Sequence, residues 1–161
     1  MASAGLPDDG LVNSDDTAAE RLERPECLRL LSGHRGGVGR LGFDAQDMPT
    51  ILPVNYEMAG DDLVIRTGSG MKSVVARKGG IIAFEIDGLE DEGRTAWSVL
   101  VRGMASLISA GELVELGGPT PSPLAPVSGD TYLRVRSGVI TGRRFPLRPS
   151  PSLTPPPGPD D

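Results

Sequence analysis

Apolar and polar residues alternate along several short stretches of the chain, and alternation with a period of two predicts β-strands. In IIAFEIDG, residues 81–88, Ile82, Phe84 and Ile86 fall on one face while the carboxylates fall on the other. Further strands are predicted over VGRLGF, TILPVNYEM, DDLVIRT, AWSVLVRGMASLIS, TYLRVR and VITGRRF. Short strands joined mostly by tight turns indicate an antiparallel barrel, so the predicted fold class is mainly β with short helices.

Glycine, proline and helical spacing modify this pattern. Gly103 predicts a bulge or a sharp bend inside its long strand, and Ser137-Gly138 predicts a break between the last two strands. RPECLRLLSG, residues 24–33, is predicted as an amphipathic helix with Gly33 as its C-cap. Shorter helices are predicted over MKSVVARKGG and GELVEL, and a loop over PTPSPLAPVSGD.

The two ends of the chain differ in composition from its middle. Residues 1–19 are small, polar and acidic, and residues 147–161 are rich in proline. Neither segment carries enough apolar surface to offset the entropy cost of folding, so both are predicted to be disordered tails. Residues 20–146 would then form a single domain of ordinary size.

Charge and cysteine content narrow the function classes. The net charge of −6 argues against a general nucleic-acid-binding protein, which usually has a basic surface. The apolar runs are too short to span a membrane, and no signal-peptide pattern is visible. The single cysteine, Cys27, cannot form an internal disulfide, and a cytoplasmic location is the simplest interpretation.

Side chains suited to catalysis are scarce. The single histidine, His34, lies in a glycine-rich stretch without a carboxylate beside it, and one His with one Cys cannot form a His/Cys metal site. Glu85 and Asp87 share a strand face, but acidic residues continue through 90–92, which favours a solvated turn. If the protein is an enzyme, we expect a cofactor to supply the reactive atoms.

The segment LVIRTGSGMKS, residues 63–73, is the best candidate for binding such a cofactor. Arg66 and Lys72 supply positive charge, the segment adds hydroxyls, and its glycines permit a tight turn. A phosphate needs these groups, although the same residue types also occur in ordinary exposed turns. Met71 separates the last glycine from Lys72, so the segment is not a Walker-type nucleotide loop.

Two other stretches can contribute to the same site. Pro53 in PVNY, residues 53–56, lacks a backbone N–H and therefore favours an edge or a bulge in its strand, where free polar groups could meet a ligand ring. Trp97-Ser98 brings the chain's single indole to the start of a strand. This indole could either anchor the core or cover a ligand.

The chain resembles the pyridoxamine 5′-phosphate oxidase-like family, the FMN-binding split β-barrels, and in particular its actinobacterial branch. The resemblance rests on an ordered set of segments: GRL, PVNY, LVIRTGSGMK, IAFEIDG, WSVLVRGMA and TGRRF. Together they span most of the chain between residues 25 and 145. The resemblance implies an antiparallel split β-barrel that forms a homodimer, with the cofactor in a groove between the subunits.

The resemblance also implies which residues hold the cofactor. The flavin ring would lie along residues 53–56, mainly against the backbone, and the ribityl-phosphate end would meet Arg66, Thr67 and Lys72. The implied cofactor-binding residues are Pro53, Val54, Asn55, Tyr56, Arg66, Thr67, Met71, Lys72, Ser73, Trp97 and Ser98.

Other positions qualify this picture. By resemblance, Trp97 and Ser98 would come from the partner subunit and cover the ring, whereas Arg143 would either reach the same groove or lie on a solvated strand. Met71 stands where relatives usually have a small hydroxyl residue, which removes one phosphate hydrogen bond. The basic and histidine residues with which true pyridoxamine phosphate oxidases bind substrate have no match, so vitamin B6 oxidation is not expected.

The leading hypothesis is a homodimeric FMN-binding oxidoreductase that transfers hydride through flavin N5 to or from a small-molecule substrate. One alternative is a reductase of the same fold that uses the deazaflavin F420. Another is a non-catalytic module that binds flavin or haem, and a last one is a homodimer whose groove has lost its cofactor. No catalytic residue is predicted, because nothing in the sequence identifies the substrate.

Overall fold

The computed structural model describes residues 19–34, 37–45, 47–67, 80–121 and 131–147 of the chain. Within these ranges the strands are β1 (Glu20–Leu22), β2 (Val38–Ala45), β3 (Met48–Asn55), β4 (Glu57–Ala59), β5 (Asp62–Arg66), β6 (Ile81–Glu90), β7 (Thr95–Ser109) and β8 (Thr131–Pro146). The α-helices are α1 (Arg24–Gly33) and α2 (Ala110–Glu115), and a 3-10 turn spans Asp91–Gly93. No described helix is long and apolar enough to cross a membrane.

All the described strands belong to one antiparallel sheet. Their order is β3-β2-β6-β7-β8-β5-β4, and β1 pairs with the end of β8. β3 lies at one edge of this order and β5 near the other, yet the two strands contact each other. The sheet therefore curls back on itself, and the predicted fold class, a mainly β split barrel with short helices, is confirmed.

Alternation places the core side chains inside this curl. Ile82, Phe84 and Ile86 of β6 are buried, as the sequence predicted, and they pack with alternate residues of β7 and β8. α1 packs on the same core through Cys27 and Leu31, which are both fully buried. The opposite side of the sheet, here named the outer face, carries the intervening residues of β2, β3, β6, β7 and β8.

Two predictions about strand boundaries are wrong. Residues 131–146 form one strand rather than two, because the register shifts between Arg102 and Gly103 of β7, Gly138 of β8 is left without a partner, and pairing continues on both sides of it. The shift lies at Gly103, where the sequence predicted a bulge or a sharp bend. TILPVNYEM forms two strands rather than one, since β3 pairs with β2 whereas β4 pairs with β5, and Tyr56 separates them.

Most other predicted elements are confirmed where the structure describes them, including α1, α2 and the hairpin turn before β5. The C-cap of α1 is His34 rather than Gly33, and its N–H donates to the Leu30 carbonyl at 3.0 Å. β1 was not predicted, because a strand of three residues is too short to show alternation. Residues 1–18, 71–79, 122–130 and 148–161, which cover most of the predicted tails, one predicted helix and the proline-rich loop, lie outside the described residues.

An ion-pair network ties β8 to α1, β1 and β6. Arg144 lies 3.0 Å from Glu90, 2.9 Å from Glu26 and 3.7 Å from Glu20. Arg29 contacts the same Glu26 carboxylate at 2.8 Å. Hydrogen bonds from Arg29 and then Arg144 lower the pKa of Glu26 from 4.5 to about 2. The helix is thereby fastened electrostatically to the last strand of the sheet.

Candidate functional site

The ends of β3 and β5 meet at Asn55 and Arg66. β4 and β5 form an antiparallel hairpin in which Glu57 pairs with Val64. Continued by two residues past its last pair, this register would place Asn55 opposite Arg66, and β3 and β5 do contact each other. On its other side Arg66 pairs with Tyr132 of β8. The fold thus brings together two of the residues that the sequence nominated for cofactor binding.

The carboxamide of Asn55 has an unmet hydrogen-bonding requirement. Asn55 is half-buried, and its Oδ1 atom is shielded from solvent without a hydrogen-bond partner among the described residues. A buried acceptor left in this state costs about 1–3 kcal/mol, and native proteins rarely retain one. We therefore expect a donor from outside the described chain, such as a bound ligand, to face Asn55.

Arg66 and Thr67 are held rigidly beside this position. The Nε atom of Arg66 is buried, and the Thr67 side chain is buried as well. The Thr67 N–H donates to the carbonyl of Thr131 at 3.2 Å, which extends the pairing of β5 with β8. The chain then enters residues 68–79, which lie outside the described ranges. Three predicted phosphate-binding residues fall there: Met71, Lys72 and Ser73.

Pro53 and Val54 lie on β3, which is an edge strand of the described sheet, as Pro53 predicted. Pro53 is exposed and pairs with Arg40 of β2. The Val54 side chain instead packs against the core. In the described sheet only one side of β3 is paired, so its other side can meet a ligand through the backbone.

The side chain of Tyr56 is part of the hydrophobic core. Its side chain is 1% exposed, its ring packs edge-to-face on Phe84 at a centroid distance of 4.8 Å, and its hydroxyl donates to the carbonyl of Leu31 at 2.8 Å. Burial raises the pKa of Tyr56 well above its ordinary value. The side chain therefore anchors the end of β3 to α1, and a ligand could meet this residue only through its backbone.

Trp97 is also a core residue. The indole is 7% exposed, and its ring meets the ring of His34 edge-on at 6.1 Å. It lies directly over Gly88 of the neighbouring strand, where a Cβ atom would come within 2.5 Å of the ring. This placement fits the core-anchor interpretation of Trp97. A contact between Trp97 and a cofactor stays a prediction.

Ser98 lies in a groove of about 390 Å³ on the outer face. Ser98 pairs directly with Arg143, and both residues line this groove; a contact of Arg143 with the cofactor stays a prediction. The groove is lined by Glu85, Ser98, Leu100, Thr141, Gly142, Arg143 and Phe145. Sequence analysis missed Leu100, Thr141 and Phe145, because only the pairing register of β7 with β8 places them beside Ser98.

Arg40 balances the carboxylates next to this groove. Its guanidinium lies 2.8 Å from Glu85 and also forms an ion pair with Asp87. Hydrogen bonds with Asp87 and then Glu85 raise the pKa of Arg40 above its ordinary value. Glu85 and Asp87 lie within β6, as the sequence predicted, and the turn of the acidic run begins at Asp91.

The remaining candidates for chemistry are structural. Cys27 is fully buried, its Sγ lies 3.8 Å from the carbonyl of Leu22, and burial raises the pKa of its thiol. A buried thiol with a raised pKa is not an activated nucleophile. Among the described residues no group of three His, Cys, Asp or Glu side chains could hold a metal ion.

Large apolar side chains are exposed on the outer face beyond the groove. Ile51, Ile81 and Met104 have relative exposures of 69%, 56% and 60%. Ile81 pairs with Met104. Ile51 belongs to another cross-strand row, which runs through Gly42 and Ala83 to Arg102. Exposed large apolar side chains on one sheet face are a feature that interaction surfaces share, although arginines lie beside these three.

A family model described as pyridoxamine 5′-phosphate oxidase matches residues 23–144 of the chain. Among curated proteins, the uncharacterised protein Rv0080 of Mycobacterium tuberculosis is 32% identical over 129 residues. That alignment covers 77% of this chain and 84% of the relative. The matched region contains every strand from β2 to β7 and most of β8.

Solved structures show the same similarity. A proposed pyridoxamine 5′-phosphate oxidase of Corynebacterium glutamicum is 29% identical, with a TM-score of 0.70 over 84% of this chain and 98% of that one. An FAD-binding protein of Mycobacterium smegmatis is 28% identical, with a TM-score of 0.58 over 80% of this chain and 99% of that one. The recognised resemblance in the sequence is thereby confirmed.

Proposed function

Because the chain belongs to the pyridoxamine 5′-phosphate oxidase family, we propose that it binds FMN where β3 and β5 end and acts as a flavin-dependent oxidoreductase on a small molecule. The observation that carries this proposal is the convergence of Asn55, Arg66 and Thr67 at the entrance to the segment with glycines and Lys72. The FAD-binding relative from Mycobacterium smegmatis supports a flavin in this fold.

The residues present fit a phosphorylated flavin. Arg66 carries a permanent positive charge suited to phosphate, and Thr67 adds a hydroxyl beside it. Lys72 in the adjoining segment adds a second cation. The unpaired side of β3 offers backbone groups along which a flat ring can lie. A bound flavin supplies hydride transfer at N5, and the task of the chain is to bind the ring, orient it and exclude water from it.

FMN is preferred here to F420, whose acidic tail favours an extended basic surface. The groove beside Ser98 contains Arg143 but also Glu85. Arg40 next to it is balanced by Glu85 and Asp87. The charged side chains named at this groove are two arginines, Arg40 and Arg143, and two carboxylates, Glu85 and Asp87, so a short phosphate-terminated cofactor suits it better than a polyanionic one.

A second copy of the chain is the proposed partner for the outer face. Ile51, Ile81 and Met104 form an exposed apolar surface next to the groove of Ser98 and Arg143. On this face Arg40 pairs with Glu85 and Asp87, and Arg136 pairs across the strands with Met104. A homodimer of this kind would bring groove residues of one subunit toward the cofactor of the other.

The cofactor is tested by titrating the purified chain into FMN, riboflavin, FAD or F420 while following cofactor fluorescence. FMN is expected to bind at least tenfold more tightly than riboflavin, because only FMN carries the phosphate. Lys72→Ala should weaken FMN about 10- to 100-fold, the equivalent of one charged hydrogen bond, and leave riboflavin unchanged. Lys78→Ala, in the same segment, is the matched control. Equal affinity for FMN and riboflavin, or no flavin binding, would refute the proposal.

The dimer is tested by sedimentation equilibrium of the full chain. Met104→Lys places a charge in the apolar surface and is expected to shift the population toward monomer. Val114→Lys is the control, because Val114 is 77% exposed on α2, outside this face. A wild-type monomer at micromolar concentration, or a dimer that both variants retain, would contradict the proposed interface.

A further inference from the structure

Asn55 occupies a fixed position from which its carboxamide can select a ligand. Asn55 ends β3 and pairs with Val38 of β2. The next residue, Tyr56, is locked by its contacts with Phe84 and with the carbonyl of Leu31. The backbone around Asn55 is therefore held on both sides, and a side chain on a rigid element is pre-organised for recognition.

The Oδ1 atom of Asn55, which lacks a hydrogen-bond donor, determines which part of a flavin this side chain can contact. Oδ1 is an acceptor, so it requires an N–H or O–H donor. Phosphate and carbonyl oxygens are themselves acceptors and cannot satisfy it. FMN offers two kinds of donor, the N3–H of the ring and the ribityl hydroxyls. The choice between them depends on shape as well as on polarity.

We infer, on the premise that the proposed flavin site is correct, that Asn55 recognises the imide edge of the ring by accepting a hydrogen bond from N3–H. A carboxamide carries an acceptor and a donor side by side, and an imide presents N–H beside C=O, so the two edges are complementary in the way that Asn matches a base edge. A ribityl hydroxyl would use only one of these groups. Asn55 also alternates with Pro53 and Ile51 on one side of β3, where a ring lying along the strand would end at the carboxamide.

The inference assigns a specificity role to one side chain. A flavin that lacks N3–H would leave Oδ1 of Asn55 buried without a donor. Binding would then carry the free-energy cost of a buried acceptor that has no hydrogen bond. The chain should therefore distinguish FMN from N3-methyl-FMN, although both carry the same phosphate and ribityl chain. This selectivity should depend on Asn55 and not on the proposed phosphate-binding residues Arg66, Thr67 and Lys72.

Fluorescence titrations with FMN and N3-methyl-FMN test this directly. Wild-type protein is expected to bind FMN about tenfold or more tightly than N3-methyl-FMN. Asn55→Ala, which removes the acceptor and makes room for the methyl group, should bring the affinity ratio close to one. Asn55→Asp, which keeps an acceptor, should retain the preference. Thr50→Ala, elsewhere on β3, serves as the control and should keep the wild-type ratio.

The outcomes separate this inference from the proposed function. If wild-type protein binds FMN and N3-methyl-FMN equally, the Asn55 contact is refuted while flavin binding stands. If Asn55→Ala keeps the full preference, another group reads the imide and the inference is wrong. If neither flavin binds to wild-type protein, the proposed function itself fails. The wild-type comparison remains decisive even if a variant does not fold.

Discussion

Replacing Gly88 by alanine is expected to destabilise the protein through Trp97. A Cβ atom at Gly88 would lie 2.5 Å from Cζ2 and 2.7 Å from Cε2 of the indole, whereas ordinary contacts lie at 3.4–4 Å. The ring or the strand must therefore move by roughly 1 Å. The indole is 7% exposed and is bounded by the ring of His34, so it has little room to retreat. Overpacking of this kind costs about 1–3 kcal/mol.

The assay is urea unfolding followed by intrinsic fluorescence. Trp97 is the single tryptophan of the chain, so its emission reports directly on the perturbed contact. Gly88→Ala should lower the urea midpoint without changing the slope and should alter the native emission maximum. Gly111→Ala is the matched control, because the nearest atom to its Cβ is 3.9 Å away. Since Gly111 lies in α2, this substitution should be neutral or stabilise the protein by up to about 1 kcal/mol.

One result would refute the packing described for Trp97. If Gly88→Ala unfolds at the wild-type midpoint with unchanged native emission, the indole does not rest on Gly88. Trp97 would then be available for the cofactor contact that the family resemblance implied. The experiment therefore distinguishes the two interpretations of this residue that the sequence left open.

Tyr56→Phe removes the hydroxyl that donates to a backbone carbonyl of α1 at 2.8 Å, and urea unfolding should show a loss of about 1–2 kcal/mol. Tyr132→Phe, which changes a comparably buried ring without a hydroxyl hydrogen bond in the described part of the chain, should cost less than about 0.5 kcal/mol, and equal losses would contradict the anchoring role of Tyr56. Glu26 has a folded pKa of about 2 against an ordinary 4.5, so its stabilisation is complete above pH 4.5 and is lost as the pH falls toward 2. In Glu26→Gln the free energy of unfolding should vary less over that window, and an unchanged profile would show that Arg29 and Arg144 do not hold the carboxylate.

Much of the candidate site could be read from local sequence. Arg66, Thr67 and Lys72 were nominated because charge, hydroxyls and glycines within one short segment suit a phosphate. Pro53 predicted an edge or a bulge, since proline cannot donate to a neighbouring strand, and the structure shows an edge strand. These features involve residues close together in the chain, so they can be recognised without knowledge of the fold.

Side-chain roles at the same positions were less accessible. The resemblance placed Tyr56 along the flavin ring, but its side chain turns inward to Phe84 and Leu31. Nothing in PVNY distinguishes an inward tyrosine from an outward one, because the strand changes partner at that residue. The sequence also could not predict that Oδ1 of Asn55 is buried without a hydrogen-bond donor, since burial and hydrogen bonding depend on neighbours that are distant in sequence.

The sequence by itself determined the strands, the antiparallel fold class and the family, because alternation and ordered motifs are properties of the linear chain. Only the tertiary structure decided which residues share a site. The pairing of Ser98 with Arg143 and the position of Asn55 opposite Arg66 follow from registers between strands. A register is set by long-range packing and bulges, and a shift of one residue would turn every side chain to the other face. For that reason the groove of Ser98 and Arg143 and the environment of the Asn55 carboxamide could be described only from the folded and paired sheet.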